Sequence, residues 1–238
     1  MKLKRVEKTL AGWGLTLSRQ QLQKLDRLIF ILAQQGFPHS SIAHAEEAEI
    51  KHVIDSLACM RIWTPPPHAS LLDVGSGSGF PGLVLNVAWP TTRVTLLDAV
   101  GKKIDHLRDI SRALELDDVS TVHARAEDLG RESSYRESFD AVTARAVATT
   151  AVLAELCLPL VRLGGVWLLM KGPSGPQELD EARGVLATLG GQVEDDMCFD
   201  LPCEQGVRYL ARIRKVDHTP TRYPRRAGKP QKRPLELP

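Results

Sequence analysis

The chain has 238 residues, 43% of them apolar, and a formal net charge of +2, so it suits one ordinary domain with an appendage or two small ones. No run approaches the ~20 apolar residues of a membrane span, and the charged start Met1-Lys2-Leu3-Lys4-Arg5-Val6-Glu7 leads into no apolar stretch of signal-peptide type. Cys59, Cys157, Cys198 and Cys203 form no C-x-x-C pair and read as reduced thiols of a cytoplasmic protein.

In chain order, Ser18-x-x-Gln21 spells a capping box, and Leu22, Leu25, Ile29 and Leu32 follow at helical spacing before Gly36. A second helix is expected from Ala45 to about Met60, with Ile50, Val53, Ile54 and Leu57 on one face. Both apolar stripes are expected to pack on a sheet rather than on a partner. Pro65-Pro66-Pro67 then closes this helical extension, residues 1–68, with a stiff linker.

From Ser70 the pattern alternates strand and helix, the mark of an α/β fold with a parallel sheet covered on both faces. Strands are expected at 70–74, 93–98, 119–123, 139–144, 165–170, 193–199 and 207–213, and helices at 102–115, 148–158 and 177–189. This core spans residues 69–216. Residues 217–238 carry six Arg and Lys against two acids, so the basic charge sits in a tail and the remainder of the chain sums to −2. Five prolines between Thr219 and Pro238 make that tail unable to bury apolar surface, and it is expected to be extended or disordered when free.

The turn after the first strand, Asp73-Val74-Gly75-Ser76-Gly77-Ser78-Gly79-Phe80-Pro81-Gly82, is the most informative stretch. Glycines between a strand and a helix let the backbone approach a ligand and aim N–H groups at it. The dinucleotide fingerprint G-x-G-x-x-G would need its third glycine at Phe80. The pattern is instead Asp73-x-Gly75-x-Gly77-x-Gly79, which is similar to the first motif of class I methyltransferases that use S-adenosylmethionine. Asp98 ends the second strand 21 residues past Gly77, where an acid accepts hydrogen bonds from ribose hydroxyls. Capping of the next helix is its alternative role.

Beyond the third strand, Glu127 or Asp128 is placed to accept the adenine amino group, with the Ala126 N–H donating to a ring nitrogen. Either acid equally suits a helix start. Arg145, after the fourth strand, suits a methionine carboxylate or an RNA phosphate and is expected not to support the fold. The same strand tip lacks the Asn/Asp-Pro-Pro-aromatic pattern of exocyclic-amine methylation, and Pro202-Cys203 is too far along the chain to be the cysteine nucleophile of pyrimidine-carbon methylation. The remaining target needs little activation, as guanine N7 does, with in-line positioning as the catalysis.

The set Lys51-His52-Val53-Ile54-Asp55-Ser56, the loop 73–82, Leu96 to Lys103, Ala126-Glu127, Ala144-Arg145-Ala146, Met170-Lys171-Gly172 and Tyr223 to Pro230 resembles the bacterial 16S ribosomal RNA guanine-N7 methyltransferases, the glucose-inhibited division protein B family. The resemblance implies a seven-stranded class I (Rossmann-like) sheet, S-adenosylmethionine as cofactor, contacts at Gly75, Phe80, Ala126, Glu127 and Arg145, and a guanine in the decoding region of the small subunit as target. The substrate is then 16S rRNA or the 30S subunit, and the enzyme a cytoplasmic monomer without membrane association. Members often carry Asn-Leu-Thr where this chain has Ser40-Ser41-Ile42-Ala43-His44. His52 is left unassigned.

Two other functions compete: a nicotinamide-dependent oxidoreductase, opposed by Phe80, and a non-catalytic RNA-binding module on the same fold. In the tail, Arg222, Arg225, Arg226, Lys229, Lys232 and Arg233 are expected to follow an RNA backbone, with Tyr223 as a stacking ring.

Overall fold

The computed structural model describes residues 3–36, 44–145 and 148–236. Seven strands form one sheet: β1 (Ser70–Val74), β2 (Arg93–Asp98), β3 (Val119–His123), β4 (Phe139–Arg145), β5 (Val161–Lys171), β6 (Gly191–Asp200) and β7 (Val207–Lys215). Their order is β3-β2-β1-β4-β5-β7-β6. β1 to β5 run parallel, while β7 is antiparallel to both β5 and β6. The order reverses between β1 and β4, so a crevice opens beyond their carboxyl ends. There the glycine turn, Asp98, the β3 tip and Arg145 converge.

Alternation along the strands splits the core in two. Leu71, Leu96, Ala141 and Leu168 pack beneath α1 (Lys4–Gly12), α2 (Arg19–Gln34), the helical stretch from Ala45 to Arg61, α5 (Gly82–Ala88) and α6 (Gly101–Ala113). Leu72, Leu97, Val142 and Trp167 face the other way, toward α7 (Ala126–Leu129), α8 (Thr150–Cys157), α9 (Gly175–Glu181) and α10 (Arg183–Thr188). With both faces covered, the central strands are buried and read as continuous apolar runs.

The expected capping box opens α2: the Gln21 N–H donates to Ser18 Oγ at 3.2 Å and the Ser18 N–H to Gln21 Oε1 at 2.7 Å. The Gln21 amide also donates to the carbonyls of Val87 and Ala88, tying α2 to α5. The charged start of the chain showed no helix in the sequence, yet it forms α1. Its cap is tertiary: the buried Glu49 carboxylate accepts from the N–H groups of Arg5 and Val6. The second expected helix is a composite of α3 (Ala45–Ala48), a π-helical segment (Glu49–Ile54), α4 (Asp55–Leu57) and a 3-10 turn (Ala58–Arg61). Segment 40–43 and Ala146, which entered the family resemblance, lie outside the described residues.

The tail corrects its expectation. It is neither extended nor free: it folds back over α7 and α8 and ends in the short helix α11 (Lys229–Lys232). Glu155 in α8 is wholly buried and requires a cation, which Arg225 supplies. Arg131 donates to the carbonyl of Pro224, and Arg136 to those of Tyr223 and Thr219. Tyr223 joins the second core. The ordering entropy that composition alone left uncompensated is offset by an acid elsewhere in the chain.

Candidate cofactor site

The loop after β1 is shaped by its glycines. Gly75, Gly77 and Gly79 have φ of +73°, +56° and +97°, a region that side chains disfavour. Crowding adds to this farther along: a Cβ at Gly79 would lie 2.3 Å from Leu83, and one at Gly82 would lie 2.3 Å from Leu96 and 2.8 Å from the Asp73 carboxylate. Around Gly77 the nearest atom to such a Cβ is the Gly75 carbonyl at 3.8 Å, so the loop presents bare backbone there.

Two carboxylates hold the loop from below and beside. Asp73 Oδ2 accepts from the Gly82 N–H at 3.0 Å, and burial pushes its carboxyl up to about 6. Asp98, at the tip of β2, accepts from the Gly77 N–H at 3.1 Å and the Val100 N–H at 2.9 Å, with Lys103 at 3.6 Å. Asp98 therefore ties the glycine loop to the turn that leads into α6; its bond stops at Val100, and no side chain caps α6 itself. At the β3 tip, Ala126 and Glu127 open α7 and both are buried. An N–H at a helix start has no partner within its helix, so Ala126 offers a donor beside the Glu127 acceptor. Glu127 Oε1 accepts from the Gly228 N–H of the tail at 2.7 Å.

A second cluster stands over Phe80. The His52 ring stacks on it, with centroids 4.2 Å apart and planes at 15°, and the Arg145 guanidinium lies 5.5 Å from its centroid. Arg145 donates to the Lys51 carbonyl at 2.9 Å and to His52 Nδ1 at 3.0 Å, and pairs with Asp55 at 3.3 Å. Arg208 from β7 reaches the other oxygen of Asp55 at 3.5 Å. Burial, and then the Arg145 charge, lower His52 to about 3, so at neutral pH its ring is neutral and accepts at Nδ1. Burial raises Asp55, with both guanidiniums opposing it. Arg145 thus carries structural weight, which corrects the expectation that it leaves the fold unsupported.

The glycine turn, Asp98, Ala126, Glu127, Phe80 and Arg145 therefore gather at one edge, as their spacing required. His52, Asp55 and Arg208 are additions. The i, i+3 pair His52 and Asp55 was visible on its helix, whereas nothing local marks Arg208. Of the tail cations, Arg225 is bound to Glu155 by its backbone and side chain. Arg222, Arg226, Lys229, Lys232 and Arg233 are exposed. Cys203 lies in the turn between β6 and β7, at the same sheet edge but separated from the β4 tip by β5 and β7. Among the described residues, no His, Cys, Asp and Glu group has the arrangement of a metal site.

A phosphate-free ribonucleoside suits this edge. The edge offers bare loop backbone at Gly77, the Asp98 carboxylate at the tip of β2, and the Glu127 carboxylate beside the Ala126 N–H at the tip of β3. The sheet and these residues define a class I methyltransferase of the S-adenosylmethionine-dependent type. Among solved structures, a 16S rRNA (adenine(1408)-N(1))-methyltransferase from Catenulisporales acidiphilia superposes with a TM-score of 0.54 at 15% identity over 63% of this chain and 87% of its own. A Methanococcus jannaschii fibrillarin pre-rRNA processing protein gives 0.51 at 13% identity over 65% of this chain and 71% of its own. At such identities these likenesses concern the fold.

The sequence places it further. Residues 20–205 match the rRNA small subunit methyltransferase G family, and the chain belongs to that family. Ribosomal RNA small subunit methyltransferase G of Leuconostoc mesenteroides subsp. mesenteroides is 40% identical over 95% of this chain and 96% of its own length. The Bacillus cytotoxicus protein of the same name is 37% identical over 99% and 100%. Neither an oxidoreductase nor a non-catalytic module is favoured by this membership. Phe80, packed beneath His52 and Arg145, also fills the position where a dinucleotide loop needs its third glycine.

Proposed function

We propose that this protein methylates N7 of a guanine in the decoding region of 16S rRNA, alone or within the 30S subunit, using S-adenosylmethionine, as a cytoplasmic monomer. The observation that supports it most is the tip of β4. This chain places there an arginine tied to a neutral histidine and a buried acid, with neither an amine-methylation motif nor a cysteine nucleophile. Guanine N7 has a free lone pair at neutral pH and needs no base. No helix among the described residues is long and apolar enough to cross a membrane.

When bound, the cofactor supplies a methyl group on a positively charged sulfur, which departs as a neutral thioether. The chain's own part is placement. Asp98 accepts from the ribose hydroxyls, Glu127 and the Ala126 N–H read the adenine edge, and Gly75, Gly77 and Gly79 let the backbone lie against the nucleoside. Phe80, with His52 stacked on it, walls the crevice, and Arg145 adds positive charge near the β4 tip. Aligning nitrogen, methyl and sulfur is worth about 7–11 kcal/mol at best, enough without a general base. The exposed cations Arg222, Arg226, Lys229, Lys232 and Arg233 grip phosphates, while Arg225 serves Glu155.

The test is transfer of labelled methyl to ribosomal RNA from cells lacking the enzyme, followed by mapping of the modified base. Label at a guanine N7 of 16S rRNA is the expected result. Label on another atom, or none on RNA or 30S particles, overturns the reading.

A further inference from the structure

The C-terminal strap reaches the cofactor site through its backbone. The Gly228 N–H donates to Glu127 Oε1 at 2.7 Å. A carboxylate has two oxygens, and a donor on one orients the other without occupying it. Gly228 is positioned in turn by a rigid anchor three residues earlier. The Arg225 backbone N–H and Nε donate to Glu155 Oε1, each at 2.8 Å, and Nη2 donates to Oε2 at 2.6 Å. Glu155 has no exposure to solvent, so this anchor is desolvated and strong.

The strap is also seated from the α7 side. Arg131 donates to the Pro224 carbonyl at 2.8 Å, and a Cβ at Gly130 would lie 3.0 Å from the Pro224 ring. Gly228 itself has φ +77°, and a Cβ there would meet nothing within 4 Å. Its glycine is therefore required by backbone conformation, the conformation that turns its N–H toward Glu127.

We infer that the strap from Tyr223 to Lys232 is a working part of the cofactor site: Gly228 is a positioning residue that holds the Glu127 carboxylate so that its second oxygen faces the adenine amino group, and the Arg225–Glu155 pair holds Gly228. This rests on Glu127 as the adenine acceptor. Its energetic content is preorganisation, since a carboxylate already aimed loses less freedom when the ligand arrives. By linkage, ligand binding must tighten the strap by the same factor that the strap tightens binding.

The test uses the full chain, S-adenosylhomocysteine as probe, and calorimetry on four proteins: wild type, Gly228→Pro, Glu127→Ala and the double variant. Proline removes the N–H and cannot adopt the positive φ. Gly228→Pro should weaken the probe about tenfold, equivalent to ~1.4 kcal/mol. In the Glu127→Ala background the same change should have no further effect, because its target is gone. Should Gly228→Pro fail to give a wild-type melting transition, Gly228→Ala takes its place; it keeps the N–H but strains the backbone, and should weaken binding by a smaller factor. Hydrogen exchange at the Gly228 amide should slow when the probe is added to wild type.

Wild-type affinity in the Gly228 variant, or equal weakening in both backgrounds, refutes the positioning role and leaves the strap a structural cover. If the wild type itself takes up no probe, the cofactor reading falls and this inference with it. The two failures are thus told apart by the wild-type measurement alone.

Discussion

Replacing Arg145 by alanine should cost the protein stability as well as activity. The Arg145 side chain is 15% exposed, and that of its partner Asp55 is 8% exposed. The substitution removes a charged donor from the Lys51 carbonyl, worth about 1.5 kcal/mol. It also removes the contact with Phe80, worth roughly 0.5–2 kcal/mol. Asp55 loses its nearer cation but keeps Arg208 at 3.5 Å, so the cost stays below the ~3–5 kcal/mol of a fully broken buried pair. Release of Arg145 from its own desolvation offsets part of this, leaving a net loss of about 3 kcal/mol. At about 2–4 °C per kcal/mol for a chain of this size, the melting temperature should fall by about 6–12 °C. Scanning calorimetry and urea titration of Arg145→Ala measure it, and the loss should shrink when Asp55→Ala is already present. A melting temperature within about 1 °C of wild type, with activity lost, would show that Arg145 serves only a ligand.

Asp98→Ala should weaken S-adenosylmethionine by about 10- to 150-fold, the value of about 1.5–3 kcal/mol of charge-assisted bonding; calorimetry giving unchanged affinity in a folded variant removes Asp98 from the ribose. His52 bears on pH dependence. Its folded value near 3 lies below the ordinary 6.5, so the unfolded state binds the proton more readily. Its contribution is complete above pH 6.5 and is lost toward pH 3, at up to about 1.4 kcal/mol per unit. Asp73, raised to about 6, acts oppositely and adds stability as pH falls below that value. The informative quantity is therefore the stability of wild type minus His52→Phe, which should drop by about 2 kcal/mol from pH 6.5 to 5; a difference independent of pH in urea titrations contradicts the assignment. Replacing Arg226, Lys229, Lys232 and Arg233 together by alanine should lower the salt slope of rRNA binding by up to about 2.8–3.6, at about 0.7–0.9 per phosphate; an identical slope in filter binding excludes these cations from the interface.

Most of the fold was legible because its signals are local. β1 and β2 span the residues their apolar runs marked, since a strand buried on both faces carries its hydrophobicity within itself, and β3, a half-exposed edge strand, has the bounds expected for it. The Ser18 box is a contact across three residues, and the loop from Asp73 to Gly82 announces its turn because glycine adopts those φ values at the least cost. Asp98 and Glu127 could be placed at one sheet edge because parallel βα units bring successive strand tips there at a fixed spacing.

What the sequence alone determined, then, was the sheet, the glycine loop and the acids at the strand tips, all consequences of period, turn chemistry and short spacing. Only the tertiary structure decided the rest. α1 has no capping residue of its own and depends on Glu49, 44 positions from Arg5. The tail is apolar-poor and proline-rich, yet it is fastened because Glu155, 70 residues before Arg225, is buried and must be neutralised. Arg145 is held by groups over 90 residues away. A buried charge selects its partner by proximity in the folded chain, and that proximity has no local signature.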